Sequence, residues 1–205
     1  MQQADIWQLL QRLPRPDQPF VTAITAESRV ELSGKTLING IAKAANALRD
    51  VLDTEPGESI AVDLGWTWQQ SVWQGAALIA GLDLTGEPST VQINPQVIST
   101  HPLGLPTGSP QDITSEVLGQ PDAWMYPEYF ADHITVIEQT RAWAEQHGIN
   151  EGDRVGITAG HPDTAHRFAP FLAPLVTHGS VVFLTEASDN QIESVVEQER
   201  ITRLL

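Results

Sequence analysis

A dense group of polar, titratable side chains lies in residues 161–167, HPDTAHR. This segment follows residues 154–158 (RVGIT), which are predicted to form a short buried strand. Ligand sites of open α/β sheets form at the carboxyl ends of strands, so we take His161, Asp163 and His166 as candidate ligand-binding residues. The alternative is a helix start, at which Asp163 only caps backbone N–H groups.

A metal site or a hydrolase is less well supported by this group. Two histidines that are five residues apart do not share a helix face as an i, i+4 pair does, so the spacing does not favour a metal site. No nucleophile or oxyanion-stabilising group is evident beside His161, Asp163 and His166, so hydrolysis stays the weaker alternative.

A second candidate loop, residues 63–68 with sequence DLGWTW, follows the predicted strand 59–62. Asp63 and Trp66 are candidate ligand-binding residues here, and Trp66, Trp68 and Trp73 together are expected to wall an apolar pocket. Aromatic residues at helical spacing more often belong to the core, and this alternative stays open.

The two loops belong to a block that occurs twice in the chain. Each copy consists of a turn, a short buried strand and an apolar helix, which is the repeating unit of a parallel α/β fold. We therefore predict an α/β fold, a twisted and largely parallel sheet with helices on both faces. The predicted organisation is a single domain of residues 1–205, with two similar strand–helix units (about 20–86 and 128–205) joined by an irregular segment, 87–127.

Other elements are predicted from hydrophobic periodicity and turn residues. A helix is expected at 5–13 and a hairpin from the segments 20–25 and 28–32. Ser33 is expected to cap a helix whose buried stripe comprises Leu37, Ile41, Ala45, Leu48 and Leu52. Further predictions are short strands at 91–93 and 97–98, helices at 130–148 and from Asp189, and the start of a strand at 201–205.

Composition excludes several classes of function. Eleven basic residues stand against 26 acidic ones, which gives a net charge of −15 and disfavours nucleic acid and anionic membranes as partners. The absence of cysteine excludes disulfides, thiolate nucleophiles and cysteine-bound metals. No signal peptide or long apolar run is visible, so a cytoplasmic location is expected.

Several motifs resemble the N-terminal half of the acyl-adenylate-forming (AMP-binding) superfamily, which includes the acyl-CoA synthetases. They are LSGKTL at 32–37, GESIAV at 57–62, GDRV at 152–155 and FLAPLVTHGSVV at 171–182. Asn46 stands in a context similar to an asparagine that is frequent in that family. The resemblance covers most of residues 20–82 and 130–205, and the order and spacing of the motifs carry it.

The same resemblance implies that the catalytic machinery is missing. The family's phosphate loop is rich in Ser, Thr and Gly and ends in Pro-Lys-Gly, because backbone N–H groups and a lysine must hold a triphosphate. At that place, residues 119–128 (GQPDAWMYPE) contain no lysine, one glycine and two acidic residues. The family's Tyr-Gly-x-Thr-Glu motif is absent, and its ribose-binding aspartate and catalytic lysine lie in segments beyond Leu205.

The resemblance therefore implies a shortened, non-catalytic bacterial relative that uses no cofactor and binds a small carboxylate or acyl ligand or a protein partner. Two alternatives stay open. In one, the chain is a subunit of an adenylate-forming enzyme that another chain completes. In the other, it is a homo-oligomeric structural module.

Overall fold

A computed structural model of the protein describes residues 5–84, 89, 91–128, 130, 132–158, 167–185 and 189–205. The strands are β1 (Pro19–Ile24), β2 (Arg29–Ser33), β3 (Ser59–Val62), β4 (Asp83–Leu84), β5 (Val91–Ile93), β6 (Arg154–Thr158), β7 (Ser180–Leu184) and β8 (Arg203–Leu204). The helices are α1 (Ile6–Gln11), α2 (Gly34–Asp50), α3 (Trp68–Ile79), α4 (Thr114–Leu118), α5 (Asp132–Gln146), α6 (Leu172–Val176) and α7 (Asp189–Gln198).

The strands form two sheets. The larger one has the order β2-β1-β7-β6-β8, in which only the β1–β2 pair is antiparallel, and the smaller one has the order β4-β3-β5 and is parallel throughout. Four of the six residues of β1 and four of the five of β7 are buried, as expected for strands that are covered on both faces. The predicted α/β fold, largely parallel with helices on both faces, is confirmed.

The hairpin and the helix after it form as the sequence predicts. β1 and β2 pair antiparallel, and the Ser33 side chain accepts a hydrogen bond from the backbone N–H of Thr36 at the start of α2. The helical part of the predicted stripe is fully buried (Leu37, Ile41, Ala45 and Leu48). Leu52 lies beyond the helix, which ends at Asp50.

A close approach between helices α2 and α3 depends on Gly75. A Cβ atom at this position would lie 2.6 Å from Cδ1 of Ile41 and 3.1 Å from the ring of Phe171. Only glycine leaves room for this packing, because real Cβ contacts do not fall that short. The core of the protein is therefore closely packed where α2, α3 and the segment before α6 meet.

The structure differs from the predictions mainly between residues 83 and 127. Val97 and Ile98 do not form the predicted strand, because both of their N–H groups donate to the carbonyl of Asn94 and close a turn there. Strand β4 and helix α4 were not predicted. Helix α1 is shorter than expected, and its cap is Asp5, whose side chain accepts the N–H of Gln8.

The two sheets do not follow the two sequence units. The hairpin β1–β2 comes from the first unit but pairs with β7 of the second, while β3 and its neighbours form the separate small sheet. The division into a single domain of two units stays a prediction. Among the described residues, no helix has both the length and the apolar character needed to cross a bilayer.

Candidate functional site

The loop after β3 meets the carboxyl end of β7. The indole ring of Trp66 lies 5.7 Å from the ring of Phe183, and the hydroxyl of Thr185 donates to the carbonyl of Trp66 at 3.2 Å. Because β6 and β7 are parallel and Thr158 is paired with Leu184, the end of β6 lies beside this contact. Loop 63–68 and the end of the strand that precedes the predicted histidine cluster therefore share one edge.

Buried Gln70 shapes this loop from the first turn of α3. Its side-chain carbonyl accepts the N–H of Leu64 at 2.8 Å, and its amide donates to the carbonyl of Val62 at 3.1 Å. The Asp63 side chain is exposed, while its backbone N–H continues the sheet by donating to Ile93. The loop is thus held in one conformation without using the carboxylate of Asp63.

The three tryptophans of this region have different surroundings. Trp66 and Trp68 are half-buried, and the indole N–H of Trp68 donates to the carbonyl of Pro102 at 3.0 Å. Trp73 is only 2% exposed and belongs to the core. Of the three indoles that were expected to wall a pocket, Trp66 is therefore the one at the carboxyl edge of both sheets.

The predicted residues His161, Asp163 and His166 lie outside the described part of the chain, so their role stays a prediction. Within the described ranges, no three His, Asp or Glu side chains converge as a metal ion would require.

Residues 118–126 include the start of the segment that the resemblance places at the phosphate loop, and side chains of α2 hold them in place. The ammonium group of Lys43 donates to the carbonyls of Leu118 (2.9 Å) and Gln120 (2.6 Å). It also lies 3.0 Å from the carboxylate of Asp122. One of the only two lysines in the chain is therefore used to anchor this segment.

Asn46 makes the central contacts of the same anchor. Its amide donates to the carbonyls of Pro121 (3.2 Å) and Ala123 (2.9 Å), and its side-chain oxygen accepts the N–H of Met125 (3.1 Å). The Asn46 residue is fully buried, so these three bonds satisfy an amide that water does not reach.

A third contact lies at the end of α2, where the hydroxyl of Tyr126 donates to Asp50 at 2.5 Å. This hydrogen bond raises the pKa of Tyr126 above its ordinary value. We call Lys43, Asn46 and Asp50, together with the residues 118–126 that they hold, the α2 clasp.

His133 is a buried titratable residue that the sequence did not single out. Its Nδ1 atom accepts the N–H of Ile6 at 3.5 Å, so the proton is on Nε2, which lies 2.8 Å from the carbonyl of Leu78. Burial lowers the pKa of His133 below its ordinary value of 6.5. A cavity of about 480 Å³ adjoins the imidazole, and its walls include Val136 and Leu172 as well as the charged residues Asp83, Asp132 and Arg167.

Comparison of the sequence with known proteins identifies a relative of similar length. No family model matches the chain. A curated Mycobacterium tuberculosis protein, named only after a numbered protein family, is 26% identical over 209 aligned positions, which cover 86% of each chain.

Two solved structures illustrate the likeness of fold. The inhibitor-bound N-terminal domain of FACL13 from Mycobacterium tuberculosis superposes with a TM-score of 0.75 at 12% identity, covering 97% of this chain and 62% of that one. ATP-bound MatB from Rhodopseudomonas palustris superposes with a TM-score of 0.69 at 14% identity, covering 98% of this chain and 49% of that one. The chain thus spans about half the length of MatB.

These likenesses establish the fold, which is that of the N-terminal part of adenylate-forming enzymes. The resemblance that the sequence motifs indicated is confirmed at this level.

Proposed function

We propose that this chain is a non-catalytic protein with the fold of an adenylate-forming enzyme's N-terminal part, and that it binds a small carboxylate or acyl ligand without using a nucleotide. The observation that carries the proposal is the α2 clasp. The clasp includes most of the segment that corresponds, by resemblance to the family, to the loop that holds the phosphates of ATP.

The clasp presents the wrong polarity for a phosphate. A phosphate loop turns backbone N–H groups and a lysine toward the anion. In the clasp, four backbone carbonyls point toward α2, where they accept hydrogen bonds from Lys43 and Asn46. The N–H of Met125 is bound to Asn46, and the N–H groups of Gly119 and Gln120 close the turn after α4.

The charges around this segment also disfavour phosphate binding. The Lys43 ammonium is already paired with Asp122, whose carboxylate is 64% exposed. A triphosphate approaching this segment would meet the carboxylate and would have to displace the lysine from three oxygen partners. ATP binding of the kind named for MatB is therefore not expected in this chain.

The ligand is expected at the carboxyl edge, against the exposed part of Trp66. Open α/β sheets bind ligands at this edge, and here the loop after β3 and the ends of β6 and β7 come together. The Trp66 indole offers an apolar face to an acyl or aromatic group. His161, Asp163 and His166 are predicted to supply the polar contacts, with Asp63 at the rim.

A thermal-unfolding screen with Mg-ATP, AMP, coenzyme A and a panel of fatty and aromatic acids tests this proposal. A ligand that binds only the native state at a hundredfold excess over Kd stabilises it by about 2.7 kcal/mol. For a chain of this size that corresponds to a rise in Tm of about 5–10 °C. We expect a rise with one or more acids and none with Mg-ATP or AMP.

Variants then locate the ligand. Trp66→Ala is expected to abolish the shift, whereas Val136→Trp, which narrows the cavity beside His133, is expected to preserve it. The reverse result would show that the ligand binds in that cavity instead. A shift with Mg-ATP would refute the non-catalytic proposal, and no shift with any compound would favour a protein partner or self-association.

A further inference from the structure

A second cavity lies at the opposite edge of the larger sheet, where β1, β6 and β7 begin. Its volume is about 320 Å³, within the range of small-molecule sites. The walls come from the turn before β1, from the turns that precede β6 and β7, and from the turn after α7. It is separate from the carboxyl edge, because the three strands run parallel to one another.

The walls of this cavity concentrate positive charge in an acidic protein. Arg15, Arg154, Arg200 and His178 all line it, so three of the nine arginines meet at one place in a chain of net charge −15. Arg15 and Arg200 are exposed, and the side chain of neither forms a hydrogen bond or an ion pair with the residues that the structure describes. Their guanidinium groups are therefore free to bind an anion from solution.

Arg154 forms the fixed base of the cavity. Its guanidinium donates to the carboxylate and the backbone carbonyl of Glu199, and to the hydroxyls of Thr22 and Ser180. The Arg154 side chain is only 16% exposed, and these four hydrogen bonds fix its orientation. The Arg154 guanidinium is thus positioned before any ligand arrives, although Glu199 offsets part of its charge.

The rim of the cavity is also held by backbone hydrogen bonds. The N–H of Gln18 donates to the carbonyl of Arg15, and the N–H of Thr202 donates to that of Arg154. His178 and Arg200 adopt φ angles of 53° and 54°, in the left-handed region that favours glycine at the end of a helix. Two of the three described non-glycine residues with positive φ therefore carry basic side chains to this cavity.

We propose that this cavity binds a small organic anion through its carboxylate or phosphate oxygens. Arg15 and Arg200 hold the anionic group, as guanidinium groups bind such oxygens in pairs of hydrogen bonds. Leu13, Pro14 and Phe20 form the apolar side of the same cavity and accept a small apolar body. This inference does not depend on the ligand proposed for the carboxyl edge.

The test is calorimetric titration of the full chain with inorganic phosphate and, separately, with succinate, at constant ionic strength set by sodium chloride. Arg15→Gln and Arg200→Gln remove one charge each from the cavity. Arg141→Gln removes the same charge from an exposed position on α5 that does not line the cavity. Because all three side chains are exposed, the variants are expected to keep the wild-type Tm in the absence of ligand.

We expect at least one of the two anions to bind, with Kd raised tenfold or more in Arg15→Gln and in Arg200→Gln and unchanged within twofold in Arg141→Gln. The anion that binds distinguishes a phosphate from a carboxylate ligand. No binding by either anion, or an equal loss in Arg141→Gln, would overturn the proposal.

Binding of succinate that is lost in Trp66→Ala but kept in Arg200→Gln would also overturn it, since the anion would then lie at the carboxyl edge. The same result would support the function proposed for that edge, so the two proposals fail separately.

Discussion

Replacing Asn46 tests the α2 clasp most directly. Asn46→Ala removes three hydrogen bonds and leaves the carbonyls of Pro121 and Ala123 and the N–H of Met125 without their partner. Each hydrogen bond contributes about 1 kcal/mol net. Since these three residues are exposed, water replaces part of the loss, and we expect the free energy of unfolding to fall by about 2–3 kcal/mol.

Asn46→Asp sharpens the test because it changes one atom type. The N–H of Met125 keeps its acceptor, but the amide nitrogen becomes an oxygen that faces two carbonyl oxygens at 2.9 and 3.2 Å in a fully buried position. A buried charge without a partner is unfavourable, so at pH 7 this variant is expected to be less stable than Asn46→Ala. The introduced carboxyl has a raised pKa in the folded state, so the deficit shrinks as pH falls.

The assay is urea unfolding, followed by far-UV circular dichroism and by tryptophan fluorescence. Trp124, which is 7% exposed, lies inside the clasp and is one of the six tryptophans that contribute to the fluorescence. Asn39 on the same helix is the matched control, because it is half-buried and its side chain forms no hydrogen bond with the residues that the structure describes. A loss below about 0.5 kcal/mol in Asn46→Ala, or no greater loss in Asn46→Asp, would refute the role given to the clasp.

Three further outcomes are expected. Glu199→Gln removes a carboxylate that is 11% exposed and bridges two arginines, so urea unfolding should show that the free energy of unfolding falls by about 2–3 kcal/mol. The control Glu31→Gln, at a more exposed position, should lose less than about 1 kcal/mol. Equal losses in the two variants would contradict this expectation. Burial lowers the pKa of His133, so as pH falls the unfolded chain binds a proton before the folded protein does, and the free energy of unfolding decreases below pH 6.5 by at most about 1.4 kcal/mol per pH unit. In His133→Gln the urea midpoint, measured from pH 8 to 5, should depend less on pH. An unchanged dependence would exclude His133 as the cause. Gly75→Ala should lower stability by about 1–3 kcal/mol through overpacking against Ile41, and Ile41→Val should recover part of it in the double variant if that contact is responsible.

The contribution of Glu199 to stability also depends on pH, but hydrogen bonds rather than burial are the cause. Hydrogen bonds from Arg29 and Arg154 lower the pKa of Glu199 below its ordinary value of 4.5. Its contribution to stability is therefore present above pH 4.5 and is lost as pH falls through the lower, folded-state value.

Local signals in the sequence identified most of the regular elements. The Ser33 cap with its buried stripe, and the two β-rich segments before it, are signals that lie within a few residues of one another, and helix α2 and the hairpin form as predicted. The turn at Asn94 that replaces the predicted strand 97–98 depends on one carbonyl accepting two N–H groups. Hydrophobic periodicity carries no information about such a contact.

The candidate sites were harder to predict because long-range contacts create them. Lys43 and Asn46 lie about 75 residues before the carbonyls that they bind, and nothing in their own helix indicates those partners. Arg15, Arg154 and Arg200 are also far apart in sequence, and only the parallel strands bring them to one cavity. The sequence shows that this segment lacks the lysine and the glycines of a phosphate loop. It does not show that the segment binds Lys43 and Asn46 instead.

The position of β1 has a consequence for how the chain reaches its native state. β1 pairs with β7, and the partners Val21 and Val181 are about 160 positions apart, so the larger sheet closes only after β7 has been synthesised. Until then the buried strand β1 has only its hairpin partner β2, and one long edge is open to other chains. We therefore expect slow refolding limited by this pairing, and a tendency to aggregate that rises with protein concentration during refolding.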